Sequence, residues 1–246
     1  MPATADIVPQ VHRVANSFVN WYLVEDAGRL TAVDAGLAGF RGSLESDLSK
    51  LGFRPEDIEA LILTHSDADH TGLTRALNEA GAKVLIHKLD DPKLRKPGPK
   101  SGDGKPINIA RHMWRPTFWQ LAGSMVMRGG GMPAKFEGAE TFEEGVLDVP
   151  GSPRVIPTPG HTRGHCAFLF EEHRALFVGD AICTKNPVTG GKGPQLMSHG
   201  LNESDADALS SLDAIEPIDA DVLLPGHGEP WREGAGAAVA EVRSRA

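Results

Sequence analysis

Leu61-Ile62-Leu63-Thr64-His65-Ser66-Asp67-Ala68-Asp69-His70-Thr71-Gly72 is an apolar run that ends in four metal-capable side chains within six residues. Three later fragments offer more of the same donors: Gly160-His161, Gly179-Asp180 and Gly226-His227. Each follows a short apolar, strand-like run or lies beside a Pro-Gly turn. Packing has no use for that arrangement repeated along a chain, so these donors read as one constellation assembled by the fold. Imidazole and carboxylate groups suit zinc, iron or manganese, with bonds near ~2.0–2.2 Å. His65 and His70 are five residues apart and would face different ways on a helix. In a loop after a strand, His65, Asp67, Asp69 and His70 can all turn toward one cavity. The neighbours Asp69 and His70 point apart, so that step can serve a second metal. Gly72 would let backbone pass close to the site.

Working outward, Ser17 to Val24 and Leu30 to Val33 read as strands joined by the turn Glu25-Asp26-Ala27-Gly28. Arg41 to Leu51 has helical spacing and is stopped by Gly52; Ile58 to Leu63 is a buried strand, Thr71 to Ala80 a helix, and Lys83 to His87 the next strand. Strand, ligand loop, helix, strand is a β-α-β order with its chemistry at the carboxyl end of the strand. Residues 90 to 145 break the rhythm with a Pro/Gly-rich loop and a predicted helix from about Ile107 to Arg128, kinked at Pro116 and ended by Gly129-Gly130-Gly131. Trp114, Phe118, Leu121 and Met125 lie on one face of it, either as a stripe packed on the core or as an apolar wall over the metal site. Short strands return at Arg154 to Ile156, Cys166 to Phe170 and Ala175 to Val178. A helix follows from about Glu203 to Ile215, capped near Asn202-Glu203-Ser204-Asp205; then come a strand at Asp221 to Leu224 and a small C-terminal helix after Trp231. Strands with helices outside in both halves predict two sheets packed face to face. With no clean linker, residues 1–246 read as a single domain carrying an insert at about 90–145.

With 40% hydrophobic and 24% charged residues, the 246-residue chain has a composition ordinary for a soluble globular protein of enzyme size. Its formal charge of −8 argues against a nucleic-acid surface and disfavours an anionic membrane. The basic patch Lys93-Leu94-Arg95-Lys96, followed by Pro97 to Gly104, reads as a solvated loop. Cys166 and Cys183 are too few for a disulfide framework and read as reduced core thiols. The first residues lack the basic and apolar regions of a signal peptide, so the expected location is cytoplasmic.

Thr64-His65-Ser66-Asp67-Ala68-Asp69-His70, Pro159-Gly160-His161-Thr162, Val178-Gly179-Asp180-Ala181 and Pro225-Gly226-His227-Gly228, together with Val33-Asp34-Ala35-Gly36, resemble the metallo-β-lactamase superfamily in order and spacing. The resemblance covers nearly the whole chain, least well at the insert. It implies a four-layer αββα sandwich with a dinuclear site at one edge. Residue by residue, it implies that His65, Asp67 and His161 hold one metal, that Asp69, His70 and His227 hold the other, and that Asp180 bridges them. Asp69 and Asp180 are assigned to catalysis as well. Two ions roughly 3.5–4 Å apart can share a hydroxide and polarise the oxygen it attacks. The family departure is Asp67, where histidine is usual. Two divalent ions are implied, zinc by family; an aspartate at this position shifts the preference from pure zinc toward iron or manganese without excluding zinc, unless Asp67 has left the coordination sphere.

Of the other histidines, His165 is either a residue that steadies a ligand or a structural one, and His87 reads as structural. His12, His112, His173 and His199 read as surface or packing residues. Asp34 would orient a ligand histidine or cap a turn. Lys185, Asn186, Gln195 and Ser198 are candidates for substrate contact, and Gly190-Gly191-Lys192-Gly193 lacks the spacing of a phosphate-binding loop. The function implied is hydrolysis of an ester, thioester, lactone or related bond, as in glyoxalase II-like thioesterases and lactonases. The only tyrosine, Tyr22, is not where lactonases use one, and no Lys/Arg pair prepares a glutathione site. The alternative from another class is a redox di-iron protein of the same fold. The expected partner is a small-molecule substrate, with a homodimer left open.

Overall fold

The computed structural model describes residues 3–15, 18–98, 113–127 and 135–245. Seven strands form the first sheet in chain order: β1 (Ala3–Val8), β2 (Val11–Ala15), β3 (Asn20–Asp26), β4 (Arg29–Val33), β5 (Ile58–Leu63), β6 (Lys83–His87) and β7 (Glu140–Phe142). Five form the second, in the order β14-β11-β10-β9-β8: Val222–Pro225, Ala175–Gly179, Cys166–Phe170, Arg154–Pro157 and Gly145–Val146. A separate two-stranded ribbon pairs β12 (Cys183–Lys185) with β13 (Lys192–Gln195).

Side-chain alternation along the strands builds the layers. In β5, Ala60 and Ile62 face the second sheet while Ile58, Leu61 and Leu63 face outward onto Phe40, Leu44, Leu48 and Leu77. In β10, Cys166, Phe168 and Phe170 meet that inner layer, and Ala167 and Leu169 face Leu212, Ile215, Val239 and Val242 on the far side. Both strands are apolar on both faces because both faces are covered. The outer layers are α1 (Leu44–Ser49), α2 (Thr74–Glu79) and α3 (Asp91–Arg95) on the first sheet, and α6 (Leu212–Ile215) and α7 (Ala235–Arg245) on the second, while α5 (Asp205–Ser210) sets Ala208 against Gly160 in the loop after β9. The architecture is the αββα sandwich expected.

Directions decide where the chemistry falls. Strands β4, β5 and β6 run parallel. Strands β9 and β11 are each antiparallel to β10, and β14 is parallel to β11, so these three also share one direction. Six carboxyl ends thus open the loops that begin at Asp34, Thr64, Lys88, Thr158, Asp180 and Gly226.

Several expectations change. The insert is narrower than 90–145, because β7 pairs in parallel with β6 and belongs to the main sheet. Pro116 starts α4 (Pro116–Met127) and does not kink it, since a proline lacks only an N–H that the first helical turn leaves unpaired anyway. Lys93 and Arg95 are in α3, not a solvated loop, and Lys93 pairs with Glu203. The helix predicted from Glu203 to Ile215 is two, α5 and α6, with Ser204 capping α5 through Asp207 N. Ser17, the loop at 99–104, Ile107, His112, Arg128 to Gly131 and the side chain of Met125 lie outside the described residues.

Candidate metal centre

Each ligand candidate sits just beyond a strand end. His65 to His70 follow β5 in a turn closed by His70 N donating to Asp67 O at 3.0 Å. His161 lies between β9 and β10, Asp180 follows β11, and His227 follows β14. All seven converge. Ligand atoms of His65, His161 and Asp180 lie within 4.8 Å of one another, as do those of Asp69, His70 and His227. Asp67 joins the first set, its Oδ2 lying 3.0 Å from His161 Nε2 and 3.7 Å from His65 Nε2. Its side chain has therefore not left the cluster.

Asp180 faces both sets. Its Oδ2 is 3.4 Å from His161 Nε2, 3.9 Å from His65 Nε2 and 3.2 Å from His227 Nε2, and its Oδ1 is 3.4 Å from His70 Nε2. Asp69 Oδ2 lies 3.5 Å from His227 Nε2 and 3.8 Å from His70 Nε2.

The imidazoles are oriented from behind through Nδ1. His65 bonds Thr64 Oγ1 at 2.9 Å, His70 bonds Asp34 Oδ2 at 2.8 Å, His161 bonds Asn202 Oδ1 at 3.0 Å, and His227 bonds Phe18 O. With Nδ1 so occupied, the four Nε2 atoms face the centre. Asp34 does more than orient His70. It also accepts from Thr64 N at 2.8 Å and from the Thr64 hydroxyl that meets His65, so one carboxylate steadies two histidines. It achieves this at a φ of 62°, a conformation costly for a non-glycine residue. His165 is also a positioning residue: its Nε2 accepts from Asp180 N at 3.0 Å and its Nδ1 meets Thr158 Oγ1 at 2.8 Å.

The electrostatics follow the carboxylates. Burial and the neighbouring His70 hold His65 well below the ordinary imidazole value. Burial opposes protonation of His70 too, but Asp180, Asp34 and Asp69 outweigh it and push its pKa up to about 10. His227 is raised against the same burial by Asp180 and Asp69. Asp180, although buried, is held well below the usual carboxylate range by His227, His70 and His161.

Two glycines allow the approach. A Cβ on Gly226 would lie 2.4 Å from Asp180 Oδ1 and 2.5 Å from His70 Cε1. Gly72 admits backbone beside the site: a Cβ there would meet Ala38 N at 2.1 Å and Leu37 C at 2.2 Å, and Leu37 lines the cavity over the centre. Sequence reading missed Asn202, Asp90, Asn20 and the role of Tyr22. The Tyr22 hydroxyl and Asn20 Nδ2 both donate to Pro225 O, at 2.7 and 2.9 Å, and pin the loop that carries His227.

The centre floors a cavity of about 260 Å³. Its other lining is apolar: Phe18, Val19, Leu37, Leu121, Val188 and Met197 among them, with no lysine or arginine among the described residues. Leu121 belongs to α4, so the helix does wall the site, whereas Trp114 on the same stripe is 72% exposed. Asn186 and Ser198 hold their loop together, Asn186 Oδ1 accepting from Val188 N, Thr189 N and Ser198 Oγ. Gln195 Nε2 is likewise spent on Gly191 O and Gly193 O. His87 packs on Phe142, His12 on Phe53 and His173 on Phe170, and His199 pairs with Asp205 at the surface.

Donor chemistry tests whether metal fits. Nε2 of His65, Nε2 of His70 and Oδ1 of Asp180 are buried without a hydrogen-bond partner among the described residues. Orphaned groups of this kind cost about 1–3 kcal/mol each, and a divalent cation is what nitrogen and carboxylate donors facing inward can share. The residues fit.

Two packed sheets with helices outside, and histidines and aspartates gathered at one set of strand ends, define a metal-binding αββα protein. The chain belongs to the metallo-beta-lactamase superfamily, whose family model matches residues 15–227. It is 31% identical over 174 residues to YobT of Bacillus subtilis (strain 168), covering 67% of this chain and 62% of that protein. It is 24% identical over 229 residues to the "Probable metallo-hydrolase YqjP" of the same organism, covering 85% and 66%. The chain thus spans just under two thirds of both relatives. The crystal structure of the metallo-beta-lactamase family protein TTHA1429 from Thermus thermophilus superposes with a TM-score of 0.68 at 28% identity, over 97% of this chain and 80% of that one.

Proposed function

We propose that this chain is a metal-dependent hydrolase with a two-metal centre, acting on an ester, thioester, lactone or related bond of a small, uncharged molecule. One observation carries the reading: four buried histidines and three carboxylates turn their donor atoms to one centre, and His161, His227, Asp67, Asp69 and Asp180 of that set line a single apolar cavity. His65, Asp67 and His161 would hold one divalent ion, Asp69, His70 and His227 the other, and Asp180 both. Bound there, two such ions supply an acidified water and a Lewis acid.

The chain's own residues do the rest. Asp180 fixes the spacing of the halves, and Asp69, partly exposed at the cavity floor, can receive a proton from an attacking water. Phe18, Val188 and Met197 exclude bulk water and seat an apolar acyl group beside the centre. The absence of a lining cation among the described residues supports an uncharged substrate over an anionic one such as a glutathione thioester. A second reading, a redox di-iron protein, is favoured only by the oxygen that Asp67 adds to the first set.

Metal analysis of protein purified without added metal, combined with a hydrolysis panel of neutral esters, thioesters and lactones, tests both. Two ions and turnover support the hydrolase. Iron with oxygen or peroxide reduction and no turnover of any such bond would sink it.

A further inference from the structure

Asp90 is a carboxylate buried to 1% exposure, three residues beyond the end of β6 and just before α3, and it is no metal ligand. Its Oδ2 accepts from Ser66 N at 2.9 Å and from Thr162 Oγ1 at 2.8 Å, and its Oδ1 accepts from Gly164 N at 2.8 Å. Ser66 lies between His65 and Asp67, and Thr162 follows His161. One side chain therefore joins the two loops that supply the first set of ligands. The fit is tight: a Cβ on Gly164 would meet Asp90 N and Oδ1 at 2.7 Å.

The same helical turn grips the His161 loop a second time. Lys93 of α3 pairs with Glu203 Oε1, while Glu203 Oε2 accepts from Arg163 N at 3.0 Å and Glu203 N donates to His161 O at 3.1 Å. The second set is held by other groups, His70 by Asp34 and His227 by Phe18 O.

The geometry points to Asp90 as the positioning residue for the first half of the metal centre and not the second. This inference rests on the two-metal reading. Three donors converge on Asp90, so an acceptor-only side chain is required. An asparagine would keep the shape but turn an NH2 group toward an N–H or O–H, opening the joint between the loops. Ligands then drift out of register, and groups that steady metal ligands typically govern 10–100-fold in affinity.

The test is zinc titration of metal-free protein against a competing chelator, with cobalt(II) absorption spectra to identify the half that is filled. Wild type should take up two ions. Asp90→Asn should keep one at wild-type affinity and bind the other roughly 10–100-fold more weakly. Its singly loaded cobalt spectrum should match that of His161→Ala, not that of His227→Ala. Thr162→Val removes one of the three bonds without adding a donor, and should weaken the same half by less. It decides the matter if Asp90→Asn fails to fold. Wild-type affinity for both ions in both variants, equal weakening of the two halves, or a spectrum like that of His227→Ala would overturn the role of Asp90. Uptake of a single ion by the wild type would instead overturn the two-metal reading, and this inference with it.

Discussion

At Gly226 a hydrogen atom in place of a side chain leaves room for two residues of the centre. It lets the β14 loop pass between Asp180 and His70, so Gly226→Ala must move one of them or the loop. We expect metal affinity to fall by roughly tenfold or more, as for other disturbances behind metal ligands, with the circular dichroism of the fold preserved. Wild-type affinity in this variant would show that the approach is less tight than the distances say. Tyr22 acts on the same loop from the other side. Tyr22→Phe deletes one hydroxyl bond to Pro225 O, but Asn20 Nδ2 still satisfies that carbonyl. The loss should be about 1 kcal/mol, a fall in Tm of roughly 2–4 °C. Burial also pushes the Cys166 and Cys183 thiols far up, with the carboxylates of Asp90 and Asp180 adding to it respectively. A raised thiol stays protonated, so the sign is protection from alkylation. At pH 8.5, where a free cysteine is about half ionised, iodoacetamide should react with the native protein on the order of a hundredfold more slowly than with the urea-unfolded chain. Comparable rates would contradict the burial of both thiols.

At the scale of elements, α4 has two faces with different work. Leu121 lines the cavity, whereas Trp119 on the same helix is 56% exposed. Leu121→Asp should lower kcat/KM for an apolar ester by roughly tenfold or more by placing a carboxylate in the cavity wall, while Trp119→Ala should change neither kcat/KM nor Tm measurably. Equal effects would mean that α4 is not a wall of the site. The same helix shows what the sequence could and could not reveal. Strands β5, β6, β10 and β11 are legible because both their faces are covered, which leaves unbroken apolar runs. The edge strand β1 escapes because its outer residues are polar and exposed, and β13 because Gly193 and Pro194 make half of it. Helical spacing picks out the α4 stripe, but whether a residue of it reaches the cavity depends on how the helix docks. The ligand motifs are legible as short strings. The residues that aim them are not: Asn202 is 41 positions from His161, and Tyr22 is 203 from Pro225, so only the fold makes them neighbours.

For the whole molecule, the decisive fact is that each half of the centre straddles both sheets. His65, Asp67, Asp69 and His70 come from β5 of the first sheet, while His161, Asp180 and His227 come from strand ends of the second. The sheets are also joined near the site by Cys166 N donating to Thr64 O at 2.9 Å and Asn20 N donating to Gly226 O at 2.8 Å. The inner layer of Phe168, Phe170, Phe177 and Ile62 packs the sheets together through residues that are not ligand candidates. Removing metal should therefore leave the sandwich folded, whereas binding metal should tie sheet to sheet. Because an ion that binds only the folded chain stabilises it by mass action, a free concentration about 1,000-fold above Kd adds about 4 kcal/mol. For a chain of this size that is a rise in Tm of roughly 8–16 °C. Thermal melts of chelator-treated and zinc-reloaded protein measure it directly. Unfolding on chelation would mean that the inner layer alone does not sustain the fold. An unchanged Tm on reloading would mean that the seven side chains do not act as ligands joining the two sheets.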